Sequence, residues 1–120
     1  HLTGQCRPTP LMLRYRANDY TCLHQDLYGE QVFPFQAVFL LDQPGRDFEG
    51  GEFILTHTAA NKRGRAQVIS LEQGQALIFA VNSRPVRSAR GFCRVTVRHG
   101  VSRLHRGERS TLGIIFHDAK

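Results

Sequence analysis

No stretch of this chain is apolar for long enough to cross a bilayer, which sets aside a helical membrane span. The sequence opens on His1 with no positively charged region and no apolar segment behind it, so a secretory signal is missing and the start reads as a fragment boundary. A soluble protein with no membrane partner is expected. Cysteine is scarce, and Cys6, Cys22 and Cys93 are odd in number and unrelated in spacing, which closes no disulfide framework and fits no zinc pattern. Reduced thiols in a cytoplasmic setting follow from that. Also missing are a sustained apolar stripe at helical period, an internal repeat and a low-complexity linker. Acid is thin in one region, since eight arginines fall from Arg84 to Arg109 with Glu108 the only acid among them. The formal charge of +6 favours a polyanionic partner, although a solvated face is the commoner fate of a charge run.

What is present is an all-β pattern. Short apolar or β-branched runs alternate with clusters of Gly, Pro, Asn and Asp. Strands are expected at Pro10 to Tyr15, Tyr20 to Leu27, Phe33 to Leu41, Gly51 to Thr56, Ala66 to Ser70, Gln75 to Ala80, Phe92 to His99 and Thr111 to His117. Turns fall at Ala17-Asn18-Asp19, Gln43-Pro44-Gly45, residues 61–64, Gln73-Gly74, a loop over 82–91 and Arg106-Gly107. Eight strands at these spacings suit a jelly roll, in which two facing sheets bury their inner faces against each other. An incomplete sandwich or a small open barrel is the alternative. A chain of 120 residues supports one domain with a core.

On an extended strand His24 and Asp26, two residues apart, project from one face, so an imidazole and a carboxylate converge. A second His from elsewhere completes a 2-His-1-carboxylate triad, which leaves adjacent positions on a ferrous ion open for co-substrate and oxygen. A structural zinc site fills its positions with protein ligands instead. Alone, His-x-Asp is weak evidence. It gains weight from His99-Gly100-Val101 at the end of one strand and Arg109, ten residues on, at the start of the next. With a hairpin turn at Arg106-Gly107, Arg109 lies some four residues along from His99, about 13 Å of strand. A dicarboxylate and an arginine side chain could span that gap. The planar guanidinium grips a carboxylate with two parallel hydrogen bonds, and Ser110 or Thr111 could add a hydroxyl.

The succession of Tyr15, His24-Gln25-Asp26, Phe48-Glu49-Gly50-Gly51-Glu52, His99-Gly100-Val101 and Arg109 resembles the iron(II)- and 2-oxoglutarate-dependent oxygenase superfamily. The resemblance covers nearly the whole chain. It implies a double-stranded β-helix of eight core strands, with iron held by His24, Asp26 and His99. It further implies 2-oxoglutarate chelating the iron, its far carboxylate on Arg109 with Tyr15 nearby, and dioxygen as the oxidant, so that a C–H bond is hydroxylated as succinate and carbon dioxide form. Leu23-His24-Gln25-Asp26 with Tyr15 nine residues before His24 is similar to both prolyl-hydroxylase-like enzymes and AlkB-type demethylases of alkylated nucleic acid. The whole looks most like a group of bacterial oxygenases with a suggested nucleic-acid repair role. AlkB-type enzymes carry an Asn two before the Tyr, where this chain has Leu13, and a second Arg six after the first, where it has Ile115.

Other candidates have simpler explanations. His105 is an alternative distal ligand but sits at the expected turn, and His57 and His117 fall at strand ends and read as surface residues, with contact to substrate as the alternative for either. Cys22 shares parity with His24 and reads as a small buried hydrophobe. Phe33, Phe35 and Phe39 share one face of their strand and read as core. Arg84, Arg87 and Arg90, in the loop before the His99 strand, are the candidates for substrate binding, either to nucleic-acid phosphates or to a protein substrate with an acidic flank. The expected function is therefore an iron(II)/2-oxoglutarate dioxygenase acting on nucleic acid or, alternatively, a prolyl-hydroxylase-like protein hydroxylase. A cupin-type metal enzyme or a metal-free binding jelly roll is the remaining alternative.

Overall fold

The computed structural model describes residues 7–28, 32–60 and 62–119, the side chains of 7, 8 and 117–119 excepted. Cys6 and the His117 side chain thus lie outside the described residues, as does part of the expected turn over 61–64.

Period-two alternation of apolar residues produces a jelly roll of two facing antiparallel sheets. Among the described residues there are ten strands and no helix: β1 (Arg7–Arg16), β2 (Thr21–His24), β3 (Phe35–Leu40), β4 (Phe48–Gly50), β5 (Phe53–Ala59), β6 (Arg65–Ile69), β7 (Ala76–Ala80), β8 (Ser83–Ser88), β9 (Gly91–Val101) and β10 (Leu104–Ala119). One sheet runs β1-β10-β3-β7 with β4 on β10, and the other runs β2-β9-β5-β6 with β8 on β9. Between them the inner faces bury Tyr15, Val38, Leu40, Phe53, Leu55, Phe79, Val97, Val101 and Leu104. Area removed from water there supplies the main drive to fold.

Eight strands match the sequence expectation and two are additional. The first addition is β4, in the Phe48 to Glu52 segment. The second is β8, which overturns the expected loop over 82–91: Ser83–Ser88 pairs in register with Gly91–Thr96 of β9. Pro85 and the arginines look like loop residues because β8 is an edge strand, where proline and charge are tolerated and discourage further pairing.

Two further expectations are corrected. Arg106-Gly107 is not a hairpin turn, because Arg106 pairs with Glu49 and Gly107 with Phe48 of β4. The chain instead crosses between sheets at Ser102-Arg103, so β9 and β10 face each other across the core. Nor do Phe33, Phe35 and Phe39 fill the core. Gln36, Val38 and Leu40 point inward, while Phe33 and Phe35 are about half exposed and cluster with Phe116 on the outer face.

Close approach of backbones fixes the site. A Cβ on Gly100 would lie 2.6 Å from the Thr21 carbonyl oxygen. Glycine there lets β2 sit tightly on β9, where Thr21 pairs with Val101 and His24 with His99.

Candidate metal centre and anion pocket

Strand pairing brings the histidines together, for His24 on β2 stands directly opposite His99 on β9, with ring centroids 4.2 Å apart. Asp26 lies two residues past the end of β2. Extended parity nonetheless carries through, because Gln25 points the other way and its amide donates to the Val97 and Asn82 carbonyls, both at 2.9 Å. The three side chains form a cluster whose ligand atoms all lie within 4.8 Å of one another. His24 Nε2 is 3.3 Å from Asp26 Oδ1, and His99 Nε2 is 3.3 Å from Asp26 Oδ2.

The donor set fits a divalent metal. His24 Nδ1 lies 2.8 Å from the Cys22 carbonyl oxygen, which can only accept, so in the neutral ring the proton sits on Nδ1 and the lone pair of Nε2 faces the cluster. Two electron-pair donors facing each other at 3.3 Å repel unless a cation or a proton lies between them. His99 is fixed by packing instead, stacked on Phe53 at 5.8 Å and tilted against Phe79 at 4.8 Å. Burial pushes the Asp26 carboxyl up, but hydrogen bonds from His99 and Gln36 and the nearby imidazoles outweigh it and bring the pKa down to about 2. Asp26 is thus ionised when the cluster would take a cation. Since the folded value is depressed, its contribution to stability is present above the ordinary value of 3.8 and is lost as pH falls through about 2.

A second buried charge lies across the same cavity. Arg109 is 2% exposed, and its Nε and Nη1 have no hydrogen-bond partner among the described residues. Burial pushes its guanidinium pKa down, although Tyr15, Asp42 and Glu52 act the other way. The Tyr15 and Phe48 rings lie 5.4 and 6.0 Å from the guanidinium carbon and supply only partial compensation. Gly51, at φ +65°, makes room for this side chain, since a Cβ there would come within 2.9 Å of Arg109 Cδ. Burying guanidinium donors unpaired is costly, and an anion could relieve that cost through paired, charge-assisted hydrogen bonds.

The cavity has a volume of about 270 Å³ and is lined by Tyr15, His24, Asp26, His99, Arg109 and Thr111 among others. Tyr15 pairs with Arg109 across β1 and β10, and its hydroxyl shares a 2.7 Å hydrogen bond with Thr21. Ser110 does not join them. Its neighbours in the chain, Arg109 and Thr111, line the cavity, so strand alternation turns Ser110 to the opposite face, where its amide donates to Asp42. His105 is exposed on β10 and outside the cluster, and Cys22 is exposed rather than buried.

Arg84, Arg87 and Arg90 are exposed on the β8–β9 hairpin and line no part of the cavity. Arg84 pairs with Val95 and so faces the same side of the sheet as Val97 and His99, whereas Arg87 pairs with Phe92 on the other face and Arg90 sits in the turn. Burial depresses the His57 pKa, and the charges of Arg84 and Arg65 push it further in the same direction. Sequence reasoning missed Gln36, Tyr28, Phe53 and Phe79 in the cavity wall. Gln36 alone carried a usable signal, as a polar residue in phase with Val38 and Leu40.

Comparison with known proteins gives this geometry a family. In overall fold the chain is similar to an oxidoreductase of the 2OG-Fe(II) oxygenase family from Burkholderia pseudomallei, with a TM-score of 0.60 and 20% identity over 92% of this chain and 43% of that one. It is equally similar to a Pseudomonas putida prolyl-4-hydroxylase, with a TM-score of 0.60 and 19% identity over 99% of this chain and 56% of that one. In sequence it is 48% identical over 119 residues to an uncharacterized protein found in two strains of Mycobacterium tuberculosis; the match takes in 99% of this chain and 51% of that protein. The chain therefore spans about half the length of the curated relatives it matches. Residues 1–119 match the Oxygenase-NA family, described as "Oxygenase, catalysing oxidative methylation of damaged DNA". The chain belongs to this oxygenase family.

Proposed function

We propose that the protein is an iron(II)- and 2-oxoglutarate-dependent dioxygenase acting on alkylated nucleic acid. The observation that carries this reading is the pairing, in one cavity, of a His-Asp-His cluster with a buried arginine whose Nε and Nη1 have no hydrogen-bond partner among the described residues. His24, Asp26 and His99 hold the iron. Arg109 binds the far carboxylate of 2-oxoglutarate, with Tyr15 and the Thr111 hydroxyl beside it. When bound, iron with 2-oxoglutarate and dioxygen supplies the oxidising chemistry, in which R–H, 2-oxoglutarate and O2 become R–OH, succinate and CO2. Phe53, Phe79 and Val38 give the cavity an apolar wall, and a lower local dielectric strengthens each electrostatic contact beside it. Hydroxylation of an N-methyl group yields a carbinolamine that releases formaldehyde, so this chemistry removes a methyl group from a damaged base.

Nucleic acid is favoured by the charge around the β8–β9 hairpin. Lys62, Arg63, Arg65, Arg84, Arg87, Arg90, Arg94 and Arg98 are exposed, and none has an acidic partner among the described residues. A base must leave the stack to reach a buried iron, so the substrate is single-stranded or flipped. The test is succinate production with alkylated oligonucleotides and proline-containing peptides offered side by side. Stimulation by the oligonucleotide is expected, and stimulation by peptides alone would replace this reading with a protein hydroxylase. Oligonucleotide binding should also weaken steeply with salt. Replacing Arg84, Arg87 and Arg90 by Ala should flatten the log–log slope by about 2 on a single strand. Arg84, on the side of the metal cluster, should account for more of that loss than Arg87.

A further inference from the structure

Three side chains of the cavity, Arg109, His99 and Gln36, keep a buried polar atom with no hydrogen-bond partner among the described residues, and of these Gln36 alone has no part in the function proposed. It is 5% exposed. Its Nε2 donates to Asp26 Oδ2 at 3.0 Å, while its Oε1 is buried with no partner among the described residues. Val38 and Leu40 on the same face of β3 are core residues, so an apolar side chain would pack here without burying an unpartnered acceptor. Nor can the amide turn over to relieve the cost, since that would set its oxygen against a carboxylate oxygen. The fold accepts an unpartnered acceptor in order to place a donor on Asp26.

The two oxygens of Asp26 are held unequally. Each faces one histidine of the cluster at 3.3 Å, His99 for Oδ2 and His24 for Oδ1, but Oδ2 also receives the buried Gln36 amide at 3.0 Å. Oδ1 faces His24 Nε2 and otherwise meets only the half-exposed Tyr28 hydroxyl at 3.4 Å. We infer that Gln36 is a positioning residue: its amide takes up a lone pair of Oδ2 and fixes the turn of the carboxylate, so that Oδ1 is the less engaged oxygen and the one offered to the metal. This rests on the assignment of the His-Asp-His cluster as the iron site. A carboxylate free to turn could chelate with both oxygens and occupy a position that the triad leaves open for co-substrate or oxygen. Gln36 thus protects the co-substrate's place as well as the metal's.

The test uses cobalt(II) as a spectroscopic stand-in, titrated into wild type, Gln36→Met and Gln36→Glu. Calorimetry and visible absorption follow each titration before and after adding 2-oxoglutarate, and thermal melts of the metal-free proteins check folding. Gln36→Met keeps the size but loses the donor. It is expected to bind cobalt about 10- to 100-fold more weakly, with an altered absorption band and a further loss of 2-oxoglutarate affinity. Gln36→Glu keeps the shape but sets a carboxylate against Oδ2. It is expected to bind cobalt at wild-type strength or better and to lose 2-oxoglutarate binding through charge repulsion, an outcome that a space-filling role would not give. Wild-type spectra and affinities in both variants would overturn the role of Gln36 alone. Failure of the wild type to bind cobalt would overturn the metal assignment and this inference with it.

Discussion

Alanine in place of His24, Asp26 or His99 is expected to abolish tight binding of a divalent metal, whereas His105→Ala leaves it intact. The three ligand atoms converge within 4.8 Å because β2 and β9 pair with His24 opposite His99 and because Gln25 anchors the segment carrying Asp26. Losing a direct ligand should cost more than the roughly 100-fold that loss of an outer partner can cause. His105 stands exposed on β10, away from the cluster. Calorimetric titration of the four variants with a divalent metal decides the matter. Near-normal binding by His99→Ala would remove the distal ligand from the assignment, and weakened binding by His105→Ala would show that a second arrangement is populated.

The next largest effect is expected at Arg109. Arg109→Met should bind 2-oxoglutarate about 10- to 100-fold more weakly, which corresponds to the 1.5 to 3 kcal/mol of a hydrogen bond to a charged group. Metal affinity should change little. The metal-free variant should also melt no lower than wild type, because a buried guanidinium without a partner opposes folding and methionine of similar length does not. Thermal melts with and without 2-oxoglutarate read both quantities, since a ligand that binds only the folded state raises the midpoint. If the variant kept the ligand-induced rise, Arg109 would not be the anion receptor. If it melted far lower without ligand, the arginine would serve the fold.

Much of the site was legible because strand geometry is simple. His24 and Asp26 at a spacing of two must share a face if the backbone stays extended, and past the end of β2 the alternation holds, with Gln25 turned away and Asp26 beside His24. The order of His99 and Arg109 was legible too, but their spatial relation was not. A turn residue such as Gly107 looks the same whether the chain reverses into a hairpin or continues as a strand, and only pairing with Phe48 decides it. For β3 the period gave the wrong inner face. Phe33, Phe35 and Phe39 outweigh Gln36, Val38 and Leu40 in apolar bulk, yet both faces of the strand are apolar, and alternation cannot orient such a strand. The same ambiguity hid Gln36. The hairpin of β8 was missed because the features that protect an edge strand, proline and positive charge, are those that also mark a loop.

The central claim, that one cavity holds iron and 2-oxoglutarate together, is tested most directly by visible absorption under anaerobic conditions. A 2-oxo acid chelating ferrous iron gives a charge-transfer band that neither component gives alone. The band is expected to appear when wild type receives both, to saturate at one iron per chain, and to be absent from His99→Ala. Absence of the band from wild type at saturating iron and 2-oxoglutarate, or its undiminished presence in His99→Ala, would contradict that claim.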